Sequence, residues 1–332
     1  MPADGTVVLT RSDVAALLSL EECIAAVEQA FRLHGEGKAG PPGVLALHSA
    51  EGAFHIKAGI LSGSSRPYFV AKGNTNFAHN PQRYGLPAIQ GVIVMCDAVD
   101  GRLLALLDSI EITIQRTGAA TAVAAKYLAR PESRVATICG CGNQGRVQLR
   151  ALRTVLPLEQ VNAFDLDAKQ AERFAAEMSA ELGIKVQAVT DLGAAARGSD
   201  VCVTCTPSKQ AYFKKDYVRP GTFVAAVGAD APDKQELEPA LLVGSKLVTD
   251  VTEQCATLGE LHHALGAKLL TRGDVHAELG EVVARRKPGR NSDDEITIFD
   301  STGMALQAAA AAILVYERAL AAGRGLKVNL AG

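Results

Sequence analysis

Three glycines in the middle of the chain have the spacing that a diphosphate-binding turn requires. An apolar stretch at 135–139 runs into the segment GCGNQG at 140–145, and a helical pattern follows. Gly140 would form a tight turn, Gly142 would let the backbone approach a diphosphate, and Gly145 would let the helix and strand pack closely. The N–H groups and the positive dipole end of that helix attract an anion. The segment therefore predicts a dinucleotide site, and the alternative is a glycine turn that binds no nucleotide.

An acidic residue follows the next predicted strand, Val161–Phe164. Asp165 stands twenty residues after Gly145, where a carboxylate can accept hydrogen bonds from both ribose hydroxyls and would repel a 2′-phosphate. This position predicts NAD(H) rather than NADP(H) as the cofactor. Asp167 is the neighbouring candidate for the same role.

A polar pair and a cysteine pair lie at the end of a later strand, Val201–Thr204. Ligands bind at the carboxyl ends of parallel strands, so Thr206 and Ser208 can contact the nicotinamide ribose; the alternative is that they cap a turn.

Cys202 and Cys205 have the spacing of a redox or metal pair. We favour a buried strand instead, because strand residues three apart point to opposite faces and a free cysteine packs as a small apolar residue.

The elements that position these residues belong to an α/β fold. Helices are predicted over the first 35 residues, with a capping box at Ser19, and short strands separated by turns follow over 44–107. A helix is predicted over 113–130, and strands then alternate with helices, which indicates a parallel Rossmann sheet. The Ala-rich helix at 304–321 comes after that sheet is complete, so we expect it to pack against the first domain. The predicted domains are a discontinuous α+β substrate-binding and dimerisation domain at 1–115 and 304–332, and a central NAD-binding Rossmann domain at 116–303.

Composition argues against several other classes of protein. Of 332 residues, 48% are hydrophobic and 21% are charged, and the formal net charge of −2 favours neither nucleic acid nor a membrane surface as a partner. The start of the chain lacks the pattern of a signal peptide, and the apolar stretch 305–315 is short for a membrane span and contains Gln307. Seven irregularly spaced cysteines predict reduced thiols and a cytoplasmic location. His262, His263 and His276 lack the partners of a metal site, so we predict no metal.

Several motifs together resemble the ornithine cyclodeaminase/μ-crystallin family, over about Lys57 to Gln307. Singly they are weak, but they occur in the family's order. They are VAK at 70–72, HNP at 79–81, GLP at 85–87, LD at 107–108, TIQRTGAA at 113–120, the glycine segment, AVGAD at 226–230, ELG at 278–280 and IFDSTG at 298–303. The resemblance implies a discontinuous substrate-binding and dimerisation domain around a Rossmann domain, a homodimer, and hydride transfer at the α-carbon of a small amino or imino acid.

The resemblance also implies roles for three charged residues, and a fourth is a candidate by its charge alone. Lys72 matches the family's catalytic lysine, and Asp230 matches the aspartate that handles the proton on the substrate nitrogen, since hydride loss from an amine requires the neutral amine. Arg116 would bind the substrate carboxylate, which suits a planar guanidinium. It falls in the first turn of the predicted helix, where a cation opposes the helix dipole and calls for an anion. Lys57 is a second candidate for the carboxylate, or an exposed lysine.

The remaining motif positions are assigned to the cofactor: Asn143 and Gln144 in the glycine segment, and Val227 and Ser301 in the later motifs. Two positions depart from the family. Gly43 stands where many cyclodeaminases carry a carboxylate-binding arginine, and Ala308 stands where an aspartate is frequent. Gly43, together with an unusual sequence over 72–76, points away from ornithine as the substrate, and the leading interpretation is an imine reductase or amino-acid dehydrogenase. A cyclodeaminase with catalytic NAD and a non-enzymatic, μ-crystallin-like binding protein remain the alternatives.

Overall fold

The computed structural model describes residues 5–63, 66–77 and 79–330, and the chain divides into two units. The first unit comprises the chain up to Arg116 and again from Met304 onward, and the second comprises Thr117–Gly303. The division falls one residue after the boundary expected between 115 and 116. The roles of the two domains, in substrate binding with dimerisation and in cofactor binding, remain predictions.

The N-terminal part of the first unit contains six strands and the helices that connect them, among the described residues. They are β1 (Thr6–Leu9), α1 (Arg11–Leu17), α2 (Leu20–Gly35), β2 (Gly43–His48), β3 (Ala53–Ser62), β4 (Pro67–Asn76), α3 (Asn80–Tyr84), β5 (Ile89–Asp97) and β6 (Leu103–Asp108). Helix α4 (Ile110–Leu128) begins in this unit, and its residues from Thr117 onward belong to the second.

The start of this unit is only partly as predicted. The capping box of α2 is confirmed, because the Ser19 hydroxyl accepts from the Glu22 N–H and the Glu22 carboxylate accepts from the Ser19 N–H. A helix was also expected before it, but residues 6–9 form β1, which pairs in parallel with β6. The first helix is capped by Thr10 and begins at Arg11. A four-residue apolar strand directly before a helix cap looks like part of the helix in sequence alone.

In the second unit the strands are parallel and helices connect most of them. The elements are β7 (Val135–Cys139), α5 (Asn143–Val155), β8 (Gln160–Phe164), α6 (Ala168–Leu182), β9 (Lys185–Ala188), α7 (Leu192–Arg197), β10 (Val201–Thr204), β11 (Lys209–Phe213), β12 (Phe223–Ala226), β13 (Gln235–Leu237), α8 (Pro239–Leu242), β14 (Lys246–Thr249), α9 (Thr252–Leu258), α10 (Glu260–Gly266), β15 (Ala277–Glu278), α11 (Leu279–Val283) and β16 (Thr297–Asp300).

Its main sheet has the order β15-β14-β16-β12-β10-β7-β8-β9. The chain moves from β7 outward to β9 and then crosses to β10 on the other side of β7. The order therefore reverses between β7 and β10, which is the place where doubly wound folds bind ligands. This topology confirms the predicted Rossmann domain.

The chain ends in the first unit with α12 (Ala305–Ala322) and β17 (Leu326–Val328). Here the described strands form one sheet of the order β17-β1-β6-β5-β4-β3-β2. Helix α12 packs against α2, β3 and β4, on the sheet face that buries Val70 and Ile93.

Helix α12 extends beyond the apolar stretch 305–315, which alone is short for a membrane span. By length and composition, Ala305–Ala322 is the one helix among the described residues that could cross a bilayer. However, 67% of this stretch is buried inside the protein. Such burial is typical of a core helix, which is apolar for the same reason.

Candidate functional site

The glycine segment forms the turn between β7 and α5. Gly140 has a φ of 101°, a conformation that residues with a side chain rarely adopt. A Cβ at Gly145 would overlap the carbonyl oxygen of Gly140, so only glycine permits this approach. Gly142 is the N-cap of α5, and a Cβ added there would meet no described atom within 4 Å. The turn thus leaves open space in front of the helix N-terminus, where a diphosphate binds.

Asp165, rather than Asp167, lies at this turn. Its Oδ2 accepts from the Cys141 N–H at 2.8 Å, and its Oδ1 accepts from the Asp167 N–H at 3.0 Å. Asp167 instead caps α6 by accepting from the Lys169 N–H at 3.0 Å. The structure therefore separates the two candidates: one carboxylate borders the turn, and the other belongs to a helix cap.

A cavity of about 1010 Å³ opens at this edge of the parallel sheet, entirely within the second unit. Five of the residues predicted to bind the cofactor line it: Gly140, Gly142, Asp165, Thr206 and Ser208. The volume is at the upper end of the range typical for small-molecule and cofactor sites.

The other cofactor candidates lie near strand ends without lining this cavity. Asn143, Gln144 and Gly145 form the first turn of α5. Val227 follows β12 and is half-buried, whereas Ser301 follows β16 and is buried. The Ser301 hydroxyl donates to Asp250 Oδ2 at 3.2 Å, so its described contact is with the protein. A role of these five residues toward the cofactor stays a prediction.

Sequence reasoning missed a buried carboxylate behind the cavity. Glu236 Oε1 accepts from the N–H and the hydroxyl of Thr206, both at 2.6 Å, and from the Tyr212 hydroxyl at 2.9 Å. Its Oε2 accepts from the Gly228 N–H at 2.9 Å. Glu236 thus joins the loops after β10 and β12. Burial raises its pKa above the ordinary glutamate value, although these hydrogen bonds oppose the shift.

Thr206 and Ser208 also have local roles in the turn. The Thr206 hydroxyl donates to Glu236, and it accepts from the Ser208 N–H at 3.3 Å. The Ser208 hydroxyl donates to the Gln210 carbonyl at 2.7 Å. The pair therefore shapes the turn and also lines the cavity.

Asp230 lies in the second unit, two residues beyond Gly228. Its side chain is 51% exposed, and its Oδ1 is 2.6 Å from the Lys234 Nζ. The loop that carries Asp230 is therefore fixed at Gly228 by Glu236, while the carboxylate itself remains accessible.

In the first unit, three cations lie close together on one side of the sheet. Lys57, Lys72 and Arg116 are each buried, with at most 9% of the residue exposed. Lys57 and Lys72 are directly opposite each other on β3 and β4. The Lys72 Nζ donates to Thr113 Oγ1 at 3.3 Å, and Thr113 is one turn before Arg116 on α4. We call Lys57, Lys72 and Arg116 the cation cluster.

The position of Arg116 in its helix differs from the prediction. The Asp108 carboxylate accepts from the N–H groups of Ile110 and Glu111, so α4 begins at Ile110 rather than near Thr113. Arg116 is therefore almost two turns inside the helix, where the argument from the helix dipole no longer applies. Its Nη1 donates to Gln307 Oε1 at 2.8 Å, a contact with α12 that was not predicted.

The cation cluster and Asp230 belong to different units. That Lys72, Arg116 and Asp230 face one substrate stays a prediction.

The strand interpretation of the cysteine pair holds for Cys202, whereas Cys205 follows the end of β10 and is half-buried. Cys202 is fully buried on β10, and burial raises its pKa to about 12. The Cys205 Sγ donates to the Cys139 carbonyl at 3.2 Å. Within the described ranges, no group of three or more His, Cys, Asp or Glu residues has the arrangement of a metal site.

We compared the sequence and the structure of the chain with those of known proteins. The profile of the ornithine cyclodeaminase/mu-crystallin family matches residues 4–323. An alanine dehydrogenase of Archaeoglobus fulgidus is 41% identical over 324 residues, which cover 98% of each chain.

Two solved structures are similar over almost the whole chain. An archaeal alanine dehydrogenase dimer with bound NAD has a TM-score of 0.93 at 40% identity, over 98% of this chain and 99% of that one. The Thermococcus litoralis Δ1-pyrroline-2-carboxylate reductase, in complex with NADH and L-proline, has a TM-score of 0.92 at 35% identity, over 97% and 100% of the two chains.

Proposed function

Since this chain belongs to the ornithine cyclodeaminase/mu-crystallin family, we propose that it is an NAD(H)-dependent oxidoreductase of amino and imino acids. It transfers hydride to or from the α-carbon of a small substrate. The observation that carries the proposal is the cavity in the second unit, where the glycine turn, the N-terminus of α5 and Asp165 meet. A dinucleotide supplies the hydride or accepts it when it is bound.

The turn fits a diphosphate because its backbone is exposed where a side chain would otherwise stand. Gly142 caps α5 without a side chain, so the N–H groups of the first turn face the space in front of the helix. Asp165 borders the same cavity and can accept from ribose hydroxyls, which favours NAD(H) over NADP(H).

The cation cluster supports a carboxylate as the substrate's binding group. Three cations buried close together give this side of the sheet a positive potential, which attracts an anionic group such as a carboxylate. Arg116 offers a planar guanidinium for a carboxylate, and Lys72 offers a mobile ammonium group. We assign Arg116 and Lys57 to the substrate carboxylate, and we assign Lys72 to charge stabilisation at the reacting carbon and nitrogen.

Asp230 serves as the acid–base group. In the reductive direction it delivers a proton to the substrate nitrogen as the α-carbon receives hydride, and in the oxidative direction it accepts that proton. An exposed carboxylate on a loop fixed at Gly228 suits this task, because it can reach substrate while its backbone stays in place.

The test is NADH oxidation, followed by absorbance, with a panel of substrates. The panel contains pyruvate with ammonium, a five-membered cyclic imine carboxylate, and the imine of a dicarboxylic 2-oxo acid, each with NADH and with NADPH. Consumption of NADH with any of them, and slower consumption of NADPH, is the expected result.

Two outcomes would overturn the proposal. Ammonia release from L-ornithine or L-lysine at constant NADH concentration would identify a cyclodeaminase. NADH binding without turnover of any panel member or diamino acid would identify a binding protein.

We propose a homodimer that forms through the outer face of the first unit's sheet. The strand register puts Leu45, Leu47, Phe54, Ile56 and Ile60 on the face opposite Lys57 and Lys72, and each is more than 40% exposed. An apolar sheet face of this kind is typical of a protein interface. Light scattering should give twice the chain mass of 34.7 kDa, and Ile56→Asp should shift it toward the monomer.

We place the protein in the cytoplasm. All seven cysteines are free, as expected in a reducing compartment. Fluorescence of a tagged chain in fractionated cells tests this, and membrane or secreted fractions would contradict it.

A further inference from the structure

A single polar side chain interrupts the apolar face of α12. Gln307 is fully buried among alanines and aliphatic residues of that helix. We propose that Gln307 is a further residue of the substrate site, which holds Arg116 in place and donates an amide N–H to the substrate carboxylate. This inference rests on the proposed function, and it adds a specificity-determining residue that is neutral.

The chemistry of the two side chains fixes the orientation of the Gln307 amide. A guanidinium has only donors, so the atom that receives the Arg116 Nη1 at 2.8 Å must be the amide oxygen. The amide nitrogen therefore faces away from that contact. Among the described residues, no acceptor lies within hydrogen-bond distance of the Gln307 Nε2.

A buried amide donor without an acceptor is unfavourable, so such groups normally find a partner. A ligand carboxylate is a suitable partner because each of its oxygens accepts more than one hydrogen bond. Arg116 and Gln307 would then bind the two oxygens from neighbouring positions.

The surroundings of Gln307 place it at the cation cluster. Its neighbour Leu306 packs over β3, since a Cβ added at Gly59 would lie 2.8 Å from the Leu306 Cδ2. Gly59 is two residues from Lys57 on the same strand and so faces the same side of the sheet. Lys57 is paired with Lys72, so α12 approaches the sheet face that carries both lysines.

A neutral amide beside three cations changes what the site accepts. Cations attract any anion, whereas Gln307 adds a donor of fixed direction that a carboxylate oxygen satisfies. A carboxamide substrate would present its own N–H2 group to these donors at one of the two positions. We therefore expect Gln307 to increase the preference for a carboxylate over the corresponding primary amide.

The experiment uses the full-length protein and the panel compound that the wild type reduces fastest, with its primary carboxamide as the comparison. Gln307→Leu removes both amide groups. We expect its KM for the carboxylate to rise by roughly 10- to 50-fold, in the range that a lost hydrogen bond to a charged group produces. The KM for the carboxamide and the Kd for NADH should change less than about twofold, the size of an effect within normal scatter.

Gln148→Leu is the matched control. Gln148 is also a fully buried helical glutamine, and its amide nitrogen and oxygen both lack hydrogen-bond partners among the described residues, but it lies on α5. Its variant should leave the ratio of carboxylate to carboxamide KM unchanged. Gln307→Met, which preserves the length of the side chain, is the second variant if Gln307→Leu does not fold.

A double-mutant cycle separates donation to substrate from orientation of Arg116. If Gln307 donates to the carboxylate, Gln307→Leu lowers kcat/KM further in an Arg116→Ala background. If it acts only through Arg116, the double variant equals Arg116→Ala, and the donor role is wrong. An unchanged carboxylate KM in Gln307→Leu, with wild-type turnover intact, would overturn the inference while leaving the proposed function standing. The absence of wild-type turnover would instead contradict the proposed function.

Discussion

The two units of this protein prepare for their ligands in opposite ways. The second unit prepares its diphosphate position from backbone, with glycines at the turn and the buried carboxylate of Glu236 behind the cavity. The first unit forms the cation cluster from long side chains on β3, β4 and α4, together with the amide of Gln307. A substitution in a turn that binds through its backbone changes the shape of the turn itself. A substitution in a site built from side chains removes one chemical group and leaves the surrounding backbone in place. The following variants test this difference.

The largest loss of activity should come from replacing the two residues assigned to the chemical step. Lys72→Ala and Asp230→Asn should each lower kcat by about 10³-fold, the usual scale for a lost acid–base group, while NADH still binds. Stopped-flow absorbance and NADH fluorescence measure the two quantities. Lys126→Ala, an exposed lysine on α4, is the control. Near-native kcat in either variant would remove that residue from the mechanism.

Next should come the glycine turn, where two alanine substitutions separate folding from binding. In Gly145→Ala the new methyl group overlaps the Gly140 carbonyl, so the unfolding temperature should fall even without cofactor. In Gly142→Ala the methyl group enters open space, so the fold should persist while NADH affinity falls by about 100-fold, through lost contact with the diphosphate. Equal NADH affinity in Gly142→Ala and the wild type would show that this space does not bind a diphosphate.

A smaller effect is expected at the ribose position. Asp165→Ala should weaken NADH binding by about tenfold, the loss of one or two hydrogen bonds, and should reduce the discrimination against NADPH. Asp167→Ala should keep the cofactor preference, because that carboxylate caps α6. Fluorescence titration gives the Kd of each variant for NADH and for NADPH. An unchanged cofactor preference in Asp165→Ala would argue against a role of Asp165 in binding the ribose.

The smallest expected effect is a pH dependence of stability from Asp300 in the second unit. Burial raises the pKa of Asp300 from 3.8 to about 7, and the nearby Asp250 carboxylate adds to the shift, whereas the N–H groups of Glu260 and Leu261 oppose it. The folded state thus binds this proton more tightly than the unfolded state. Its contribution to stability is complete at low pH and is lost as the pH rises through about 7.

The free energy of unfolding should therefore fall by about 1 kcal/mol between roughly pH 6 and pH 8 through this group. Asp300→Asn should flatten the profile, whatever its effect on absolute stability. Urea denaturation across this interval measures the slope. An equal slope in both proteins would mean that Asp300 ionises normally.

The cavity could be predicted from sequence and the cation cluster only in part, for a physical reason. The glycine segment, the following helix and Asp165 are contiguous or nearly so, and local backbone geometry requires glycine at 140 and 145. The capping box at Ser19 was predictable for the same reason. In contrast, Arg116 and Gln307 are 191 residues apart, and only the folded chain brings them together.

Some errors arose where two signals compete over a few residues. Strand β1 was missed because its pairing with β6 and β17 is not local. The start of α4 was placed too late because Asp108 acts as a cap although it also ends a strand. Glu236 had no detectable signal, since the segment KQEL looks like an exposed turn and strand. Gln307 did have one: a polar residue in a long apolar helix.

The return of α12 to the first unit sets an order for synthesis on the ribosome. Residues of the second unit are complete once Gly303 has been translated, so that unit can fold while the chain is still attached. The first unit waits for Met304 onward, because this last segment supplies α12 and the Gln307 amide that receives Arg116. Protease treatment of ribosome-stalled chains should therefore find the middle of the polypeptide protected before its beginning.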